Sequence, residues 1–465
     1  MQPACTSGVP WSNVERAICS PSLPRTHVPA YFRSLPFLAA VLGAAPLAAQ
    51  APAPLVADME RRIAAASPAV VAWRRDFHQN PELSNQEVRT SAKIAEQLKR
   101  MGLEVKTGVA KHGVVGILRG GKPGPVVALR ADMDALPVVE EVDLPFKSTV
   151  RSTYNGQSVG VMHACGHDNH MAILLGIAEV FAGMKADLPG TVKFVFQPAE
   201  EGVPIGETGG ASEMVAEGVL ENPRVDAIFG LHVFPFPAGK VVYRSGGLMA
   251  SADTWRMVVR GRQTHGALPW NGVDPIVIAA QIVTNMQSIV SRQTDLTLTP
   301  AILTTGFIRG GIRTNIIPDS VELGGTIRTF DEATRDSIHA RFTRLATSLA
   351  AAAGGSATLE IDKAYAVTYN DPALTARMVP SLQRAVGAAN VSEGRPTTTA
   401  EDFSAYQKKV PGLFFFLGVN PPGADESMAA PNHSPKFFAD ESALVPGMKA
   451  LGRLALDYLS GTKAM

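Results

Sequence analysis

Residues 161–170 read Val161-Met162-His163-Ala164-Cys165-Gly166-His167-Asp168-Asn169-His170. This stretch brings one thiol, three imidazoles and one carboxylate close together. Cysteine sulfur and histidine nitrogen are the ligand atoms that a zinc-type ion prefers. A Cys-x-His pair cannot fill a coordination sphere by itself, so the remaining ligands must come from other parts of the chain.

Further candidate ligands follow three predicted strands, at residues 126–130, 191–196 and 227–233. The polar residues at their ends are Asp132 and Asp134, Glu200 and Glu201, and His232. Taken alone, the aspartates could form a solvated turn, and a lone histidine on an apolar strand is more often a core residue. Strands that alternate with helices predict an α/β domain with its site at one edge of the sheet. Of two adjacent glutamates, one can bind metal while its neighbour acts as general base.

The composition is that of a globular enzyme-sized chain. A length of 465 residues predicts two domains, and 46% of the residues are hydrophobic while 18% are charged. The net charge is +1, and no basic stripe with interleaved aromatic residues is present. The sequence therefore gives no support for nucleic-acid binding.

The apolar run from Leu35 to Ala49 follows Arg25 and Arg33 and ends in small residues. A cationic flank, a short apolar core and a small-residue exit predict a secretory signal peptide within residues 1–51, cleaved near 49–51, and hence a secreted or periplasmic protein that is not membrane-bound after cleavage. The alternative is a buried helix of the fold. Cys5 and Cys19 precede the expected cleavage point, so Cys165 would be the single cysteine of the mature chain, where metal binding would protect it from oxidation.

The order of elements changes near residue 249. Residues 55–248 predict the first part of a catalytic domain, with an irregular link at 74–84 and a helix at 171–183. Residues 249–363 predict the order β-α-β-β-α-β, which is a ferredoxin-like unit. Residues 364–465 return to the first domain and include Pro431-Asn432-His433-Ser434-Pro435.

Together, these motifs resemble the aminoacylase and carboxypeptidase family of dinuclear metallohydrolases, and within it the hippurate hydrolases and the auxin-conjugate (indole-acetyl amino acid) hydrolases. The resemblance covers residues 70–455. The matching segments are 78–84, 130–137, 162–168, 197–202, 230–233, 315–319, 325–329 and 433–435. The resemblance implies an α/β, zinc-peptidase-like catalytic domain with a mixed sheet flanked by helices, and an inserted ferredoxin-like domain for dimerisation, acting as a lid.

The resemblance also implies the residues of the site. Two divalent metal ions, Zn or Mn with Co as a further option, would be held by Cys165, His167, Glu201, His232 and His433. Glu200 would act as general base on a metal-bound water and return the proton to the leaving amine. Asp134 would orient a ligand, and Asp132 would be structural or lie behind the ligands. His163 and His170 match no ligand position.

In relatives the smaller domain forms a homodimer and lends a histidine that stabilises the oxyanion across the subunit boundary. His265 matches that position, while Asn315 and Arg328 match polar positions that face the substrate's carboxylate. Each of these residues also has an ordinary surface interpretation. Trp270 stands where a histidine is common, and the insertion at 421–430 precedes His433, so both could change substrate choice.

The predicted function is hydrolysis of the amide bond of N-acyl amino acids, either hippurate-like or other conjugates. A metallocarboxypeptidase or dipeptidase acting on short peptides is the alternative within the same class. A non-catalytic binding protein of the same fold is an alternative of another class, but pseudoenzymes usually lose the base or a ligand and none is missing here. A Cys165 nucleophile with a histidine base would leave Glu200, Glu201 and His433 unexplained.

Overall fold

A computed structural model describes residues 50–461. The predicted signal peptide, Cys5 and Cys19 lie outside the described residues except for positions 50 and 51, so the secreted location stays a prediction. The helices are α1 Ala53–Gln79, α2 Val88–Arg100, α3 His167–Gly183, α4 Gly210–Ala216, α5 Pro275–Gln293, α6 Glu332–Ala352, α7 Pro372–Val386, α8 Ser404–Gln407 and α9 Leu444–Gly461. Of the helices described, none combines the length and apolar composition that a membrane span needs.

The strands form one large sheet and several smaller ones. They are β1 Glu104–Val109, β2 Gly113–Arg119, β3 Lys122–Asp132, β4 Arg151–Tyr154, β5 Gln157–Gly160, β6 Pro189–Gln197, β7 Ala227–Pro237, β8 Val241–Tyr243, β9 Gly246–Met249, β10 Ala252–Arg260, β11 Thr264–His265, β12 Ala301–Gly310, β13 Ile316–Ile317, β14 Ser320–Thr329, β15 Ser356–Tyr365, β16 Thr368–Asn370, β17 Val391–Glu393 and β18 Gly412–Asn420.

The large sheet has eight strands in the order β1-β2-β6-β3-β7-β18-β8-β17. Its four central strands, β6, β3, β7 and β18, pair in parallel, whereas β1 with β2, β2 with β6, and β18 with β8 pair antiparallel. The predicted α/β fold with a mixed sheet flanked by helices is therefore confirmed. Parallel central strands place their carboxyl ends at one edge, which is where a ligand site is expected.

Helices cover the large sheet because its strands are apolar on both faces. All nine residues of β18 are buried, and so is most of β6. Helices α1, α3 and α9 pack against one another in the principal hydrophobic core. Helix α3 is buried on nearly every side, with Met171, Leu174 and Phe181 fully inaccessible. A helix held this firmly fixes the position of the residues at its beginning.

Two sequence predictions about helices were wrong. The segment 74–84 was expected to be irregular, but α1 continues to Gln79 and includes Arg74 and His78. These two side chains bind Asp168 from inside α1: Arg74 Nε and His78 Nδ1 lie 2.8 and 2.9 Å from its Oδ2 atom. Helix α3 was expected to begin at Met171 and instead begins at His167. Both helices are longer because tertiary contacts hold polar residues in helical turns.

A second sheet spans Ala252–Tyr365 and has the strand order β12-β14-β10-β15, all antiparallel. Helices α5 and α6 lie between its strands in the sequence, which gives β-α-β-β-α-β, and their buried faces share a separate hydrophobic cluster with the sheet. Asp274 and Asp331 cap the two helices by accepting hydrogen bonds from backbone N–H groups of the first turn. The use of this unit as a dimerising lid and the boundaries at 249 and 363 stay predictions.

Candidate metal centre

A cavity of about 340 Å³ opens at the carboxyl edge of the large sheet. Its polar wall includes Cys165, Glu200, Glu201, His232 and His433. These residues come from the loop before α3, the turn after β6, strand β7 and the loop after β18. The parallel strands thus bring together segments that are far apart in the sequence, as the positions of the motifs predicted.

The side chains in this wall lie within coordination range of a shared centre. Cys165 Sγ lies 3.3 Å from His232 Nε2 and 3.2 Å from His433 Nε2. His433 Nε2 also lies 3.1 Å from Glu201 Oε1. His167 Nε2 approaches Glu201 Oε1 at 3.8 Å and Glu200 Oε2 at 3.9 Å. All five predicted ligands and the predicted base therefore converge.

Buried atoms without partners show that this set fits a metal. Among the described residues, His167 Nε2 is buried and has no hydrogen-bond partner, and buried Glu201 Oε1 accepts no well-aligned hydrogen bond although His433 Nε2 lies 3.1 Å away. Such atoms cost about 1–3 kcal/mol each unless an ion or a water satisfies them. The ligand atoms of Cys165, His167 and His232 lie within 4.8 Å of one another, and so do those of Cys165, Glu201 and His433. These overlapping groups, which share a thiolate, suit two ions of the zinc type.

Gly166 allows Cys165 and His167 to face the same centre. Its φ of +85° lies in the left-handed region, and α3 begins directly after it. A Cβ atom at this position would lie 2.3 Å from Val233 Cγ2. Glycine is therefore required both for the backbone conformation and for the close approach of β7.

The loop that carries His433 is hydrogen-bonded to the loop before α3 and to strand β7. The backbone N–H of His433 donates to Ala164 O at 2.8 Å, and Asn432 Nδ2 donates to the carbonyl oxygens of Cys165 and Val233, both at 3.2 Å. His433 itself has a φ of +69°, which is uncommon for a residue with a side chain. These hydrogen bonds hold it in that conformation, and its imidazole points to Cys165 and Glu201.

Hydrogen bonds behind the wall orient the imidazole ligands. His167 Nδ1 donates to Asp134 O at 2.8 Å and lies 3.3 Å from Asp134 Oδ1, which leaves Nε2 facing the cavity. Asp134 Oδ2 accepts from Ser84 Oγ at 2.7 Å and from the backbone N–H of Glu201 at 3.0 Å. His232 Nδ1 donates to Val233 O at 2.8 Å. Asp134 thus contacts a ligand on one side and the Glu201 backbone on the other, an arrangement typical of metal sites.

Asp132 and His170 form a second layer of hydrogen bonds behind the cavity wall. Asp132 Oδ1 accepts from His170 Nδ1 at 2.5 Å, and His170 Nε2 accepts from the backbone N–H of Val233 at 2.8 Å. Arg130 Nη1 donates to Asp132 Oδ2 at 2.7 Å. His163 is also buried, and neither of its ring nitrogens has a partner among the described residues. Burial lowers the pKa of His163 to about 3, so this imidazole is neutral.

The electrostatics of the wall are dominated by carboxylates. Burial and the neighbouring Glu401 raise the pKa of Glu200 well above its usual range. Burial and the nearby Glu201 likewise raise the pKa of the Cys165 thiol. Burial alone would lower the pKa of His167, but Asp132 and Asp134 raise it to about 10. The neighbouring carboxylates, which contribute to these shifts beside burial, create a negative potential that attracts a cation.

A buried network beneath Glu200 was missed by the sequence reasoning. Arg130 Nη2 lies 2.9 Å from Glu401 Oε1 and 3.1 Å from Asp402 Oδ1, and Gln197 Nε2 donates to Asp402 Oδ1 at 2.7 Å. The ligand atoms of Asp132, Glu200 and Glu401 lie within 4.8 Å of one another. The signal that could have found it is the second adjacent acidic pair, Glu401-Asp402, which repeats the Glu200-Glu201 pattern.

The comparison with known proteins agrees with this geometry. Residues 128–457 match the profile of peptidase family M20/M25/M40. The chain belongs to this family. It is 40% identical over 392 residues to thermostable carboxypeptidase 2 of Saccharolobus solfataricus, covering 84% of this chain and 95% of that one. It is 37% identical over 405 residues to an IAA-amino acid hydrolase of Arabidopsis thaliana, covering 85% and 87%.

A solved structure of the same family gives the metal count. The Bacillus subtilis YXEP protein, described as a dinuclear metal binding peptidase, superposes with a TM-score of 0.72 at 34% identity and covers 86% of this chain and 100% of that one. The chain is thus a metal-dependent hydrolase of amide bonds that uses two divalent ions. Membership of this family supports the enzyme hypothesis over the non-catalytic alternative.

Three predicted residues of the substrate site lie elsewhere. His265, Asn315 and Arg328 are outside the set of described residues that line the cavity. His265 and Asn315 are exposed and adjacent, since the backbone N–H of Gly266 donates to Asn315 O at 2.8 Å. Arg328 is half-buried on β14, and its Nη1 atom lies 3.5 Å from Ser251 O. Their roles toward substrate stay predictions.

Proposed function

We propose that this enzyme hydrolyses the amide bond of N-acyl amino acids, with Glu200 as general base and general acid. The observation that carries the proposal is the position of the Glu200 carboxylate. It is buried in the cavity wall, and its Oε2 atom lies 3.9 Å from His167 Nε2, beside the other ligand atoms. A carboxylate there would be placed beside a metal-bound water and the amide that this water attacks.

The chain's own residues account for the proton transfers. When bound, the two metal ions polarise the amide carbonyl and lower the pKa of a bound water, so that it can lose a proton near neutral pH. Glu200 Oε2 accepts a proton from the attacking water and later donates it to the leaving amine nitrogen. A raised pKa suits both tasks, because it makes the carboxylate a stronger proton acceptor and lets the carboxyl group hold the proton between the two steps. The thiolate and imidazoles of the wall keep their positions throughout.

The two ends of the substrate would meet different surfaces. Phe234, Met249 and Ala400 form the apolar part of the cavity wall and suit an acyl group. Arg328 would recognise the free carboxylate, since no described carboxylate lies within 4.0 Å of this half-buried guanidinium and a ligand could supply one. In this proposal Asn315 assists Arg328, and His265 of a second copy donates to the oxyanion.

A carboxypeptidase or dipeptidase is the second candidate, favoured by the 40% identity to a thermostable carboxypeptidase. The two candidates share their chemistry, because each cleaves an amide whose nitrogen belongs to an amino acid with a free carboxylate. They differ in the group on the acyl side, which is a simple acyl group in one and a peptide in the other.

The experiment combines metal analysis with hydrolysis of a panel of N-acyl amino acids and short peptides, using wild type, Glu200→Gln and Glu207→Gln. Glu207 is exposed and pairs with Lys111, so it is the matched control. We expect two metal ions per chain in all three proteins and a loss of kcat of about 10³-fold in Glu200→Gln alone. Glu200→Gln as active as wild type would overturn the base assignment. Hydrolysis of peptides alone would favour the second candidate.

We also propose that the mature protein is secreted or periplasmic and forms a homodimer through the second sheet and its helices. The cationic flank and apolar run before residue 50 support export. Exposed apolar side chains at Trp270 (74%) and Ile312 (95%) support an interface on the second unit. N-terminal sequencing of exported protein and sedimentation of wild type and Trp270→Ser test these points. Monomeric wild type would contradict the dimer.

A further inference from the structure

The turn that carries Glu200 and Glu201 is held at three successive residues. The backbone N–H of Ala199 donates to Glu87 Oε1 at 2.9 Å, and the backbone N–H of Glu201 donates to Asp134 Oδ2 at 3.0 Å. Between them, Glu200 O accepts from the Tyr365 hydroxyl at 2.7 Å. Ala199 has a φ of +54°, an unfavourable conformation for alanine that needs such support.

The hydrogen bond from Tyr365 differs from the other two in its origin. Glu87 precedes α2 and Asp134 follows β3, so both belong to the layers around the large sheet. Tyr365 is the last residue of β15, in the second sheet, and its ring lines the cavity beside Glu200. The second sheet therefore contacts the peptide group of the proposed base directly.

Tyr365 is itself fixed by a buried ion cluster of the second unit. Its carbonyl oxygen accepts from Arg335 Nη2 at 3.1 Å. Arg335 Nε donates to Asp253 Oδ2 at 3.0 Å, and His339 Nε2 lies 2.7 Å from the same oxygen. Asp253 is 1% exposed, so this cluster is a rigid attachment. A continuous path of contacts runs from α6 through Tyr365 to the Glu200 backbone.

We propose that Tyr365 is a positioning residue that couples the placement of the second sheet to the orientation of the Glu200 carboxylate. The inference rests on the proposed role of Glu200 as the base. Holding a carbonyl oxygen fixes its peptide plane, and the plane sets the direction of the Glu200 Cα–Cβ bond. Without the hydroxyl, the peptide can rotate about its flanking bonds, and the carboxylate then spends less time in reach of the attacking water.

The test uses Tyr365→Phe, which keeps the ring and removes the hydroxyl, and Tyr369→Phe, which removes a hydroxyl from a tyrosine that is 46% exposed and belongs to the next strand. In metal-loaded Tyr365→Phe we expect two bound ions, a KM within about twofold of wild type and a kcat lower by about tenfold or more. Tyr369→Phe should behave as wild type.

Amide hydrogen exchange of the peptide that contains residues 199–202, measured without substrate, gives a second readout. We expect faster exchange in Tyr365→Phe and no change in Tyr369→Phe. An unchanged kcat, a change confined to KM, or a loss of metal would each overturn the positioning role. The two proposals can fail separately. Activity in Glu200→Gln would show that Glu200 is not the base, whereas hydrogen exchange in Tyr365→Phe would still report whether the turn is held.

Discussion

Cys165 Sγ lies 3.2 Å from His433 Nε2, although 268 residues separate the two positions. The contact joins the loop before α3 to the loop after β18, and His232 Nε2 also lies 3.3 Å from the same sulfur. A thiol and two imidazoles this close, with carboxylates beside them, are stable together chiefly as ligands of a cation. Metal ions bound by these residues would therefore hold distant parts of the chain in contact as well as support catalysis.

Replacing the shared candidate ligand should weaken metal binding in both overlapping groups. In Cys165→Ser we expect fewer than two metal ions per chain and a loss of activity exceeding about 100-fold, since hydroxyl oxygen is a poorer ligand than thiolate for zinc-type ions. Metal analysis after gel filtration and a steady-state assay measure both. Ser434→Ala, a change of similar size beside His433, is the control. Full metal content in Cys165→Ser would show that the thiol is not a ligand.

Gly166→Ala should lower the free energy of unfolding by more than the strain of alanine at a positive φ explains. Gly166 and Gly206 have the same φ of +85°, but nothing lies within 4 Å of a Cβ at Gly206, whereas Val233 Cγ2 lies 2.3 Å from a Cβ at Gly166. Alanine in this conformation costs about 1–2 kcal/mol at either site, and overpacking adds about 1–3 kcal/mol at Gly166. Urea unfolding and metal content of both variants test this. Equal losses of stability would contradict it.

The sequence predicted that these side chains would lie close together because metal ligands need particular residue types and the motifs place several of them beside strand ends. Cys165, Glu201 and His232 meet at the carboxyl edge of parallel strands β6 and β7. The alternation of strands and helices predicted a site at this edge, whereas the set of ligands followed from the family resemblance. The order of elements in the second unit followed from its periodicity in the same way. Local patterns carry this information.

Other features depend on tertiary contacts that no local pattern contains. Residues 74–78 read as an irregular polar link, yet they are helical because Arg74 and His78 bind Asp168 across the core. Tyr365 ends an ordinary strand, and its hydrogen bond to Glu200 joins positions 165 residues apart. Such pairings arise from how the two sheets meet. They can be identified only from the three-dimensional arrangement of both sheets.

Arg328→Lys tests the predicted recognition of the substrate's carboxylate. A guanidinium that binds both carboxylate oxygens cannot be replaced by an ammonium, so KM for an N-acyl amino acid should rise by about 10- to 100-fold, the effect of losing a charged hydrogen bond of about 1.5–3 kcal/mol. The corresponding N-acyl amino acid amide should show little change. Arg309→Lys, at an exposed arginine of the neighbouring strand β12, is the control. Equal effects on acid and amide would exclude carboxylate recognition by Arg328.

Asp253 should make the stability of the second unit depend on pH. Burial opposes ionisation of this carboxyl group, but hydrogen bonds and charge from His339 and Arg335 lower its pKa below the ordinary value. A carboxyl whose pKa is lower in the folded state stabilises the fold fully above its unfolded pKa of about 3.9, and this contribution disappears as the pH falls through the folded pKa. At pH 7, Asp253→Asn should cost about 3 kcal/mol, because Arg335 is left buried without its partner.

The difference in unfolding free energy between wild type and Asp253→Asn should therefore shrink as the pH falls below about pH 4. Urea titrations at several pH values measure it. Asp336→Asn is the matched control, because Asp336 is exposed and its pair with Lys363 is screened by solvent. A difference that stays constant down to pH 2.5 would place the folded pKa lower still, whereas a difference that grows between pH 4 and pH 2.5 would contradict the sign, since it would require Asp253 to bind its proton more tightly in the folded state.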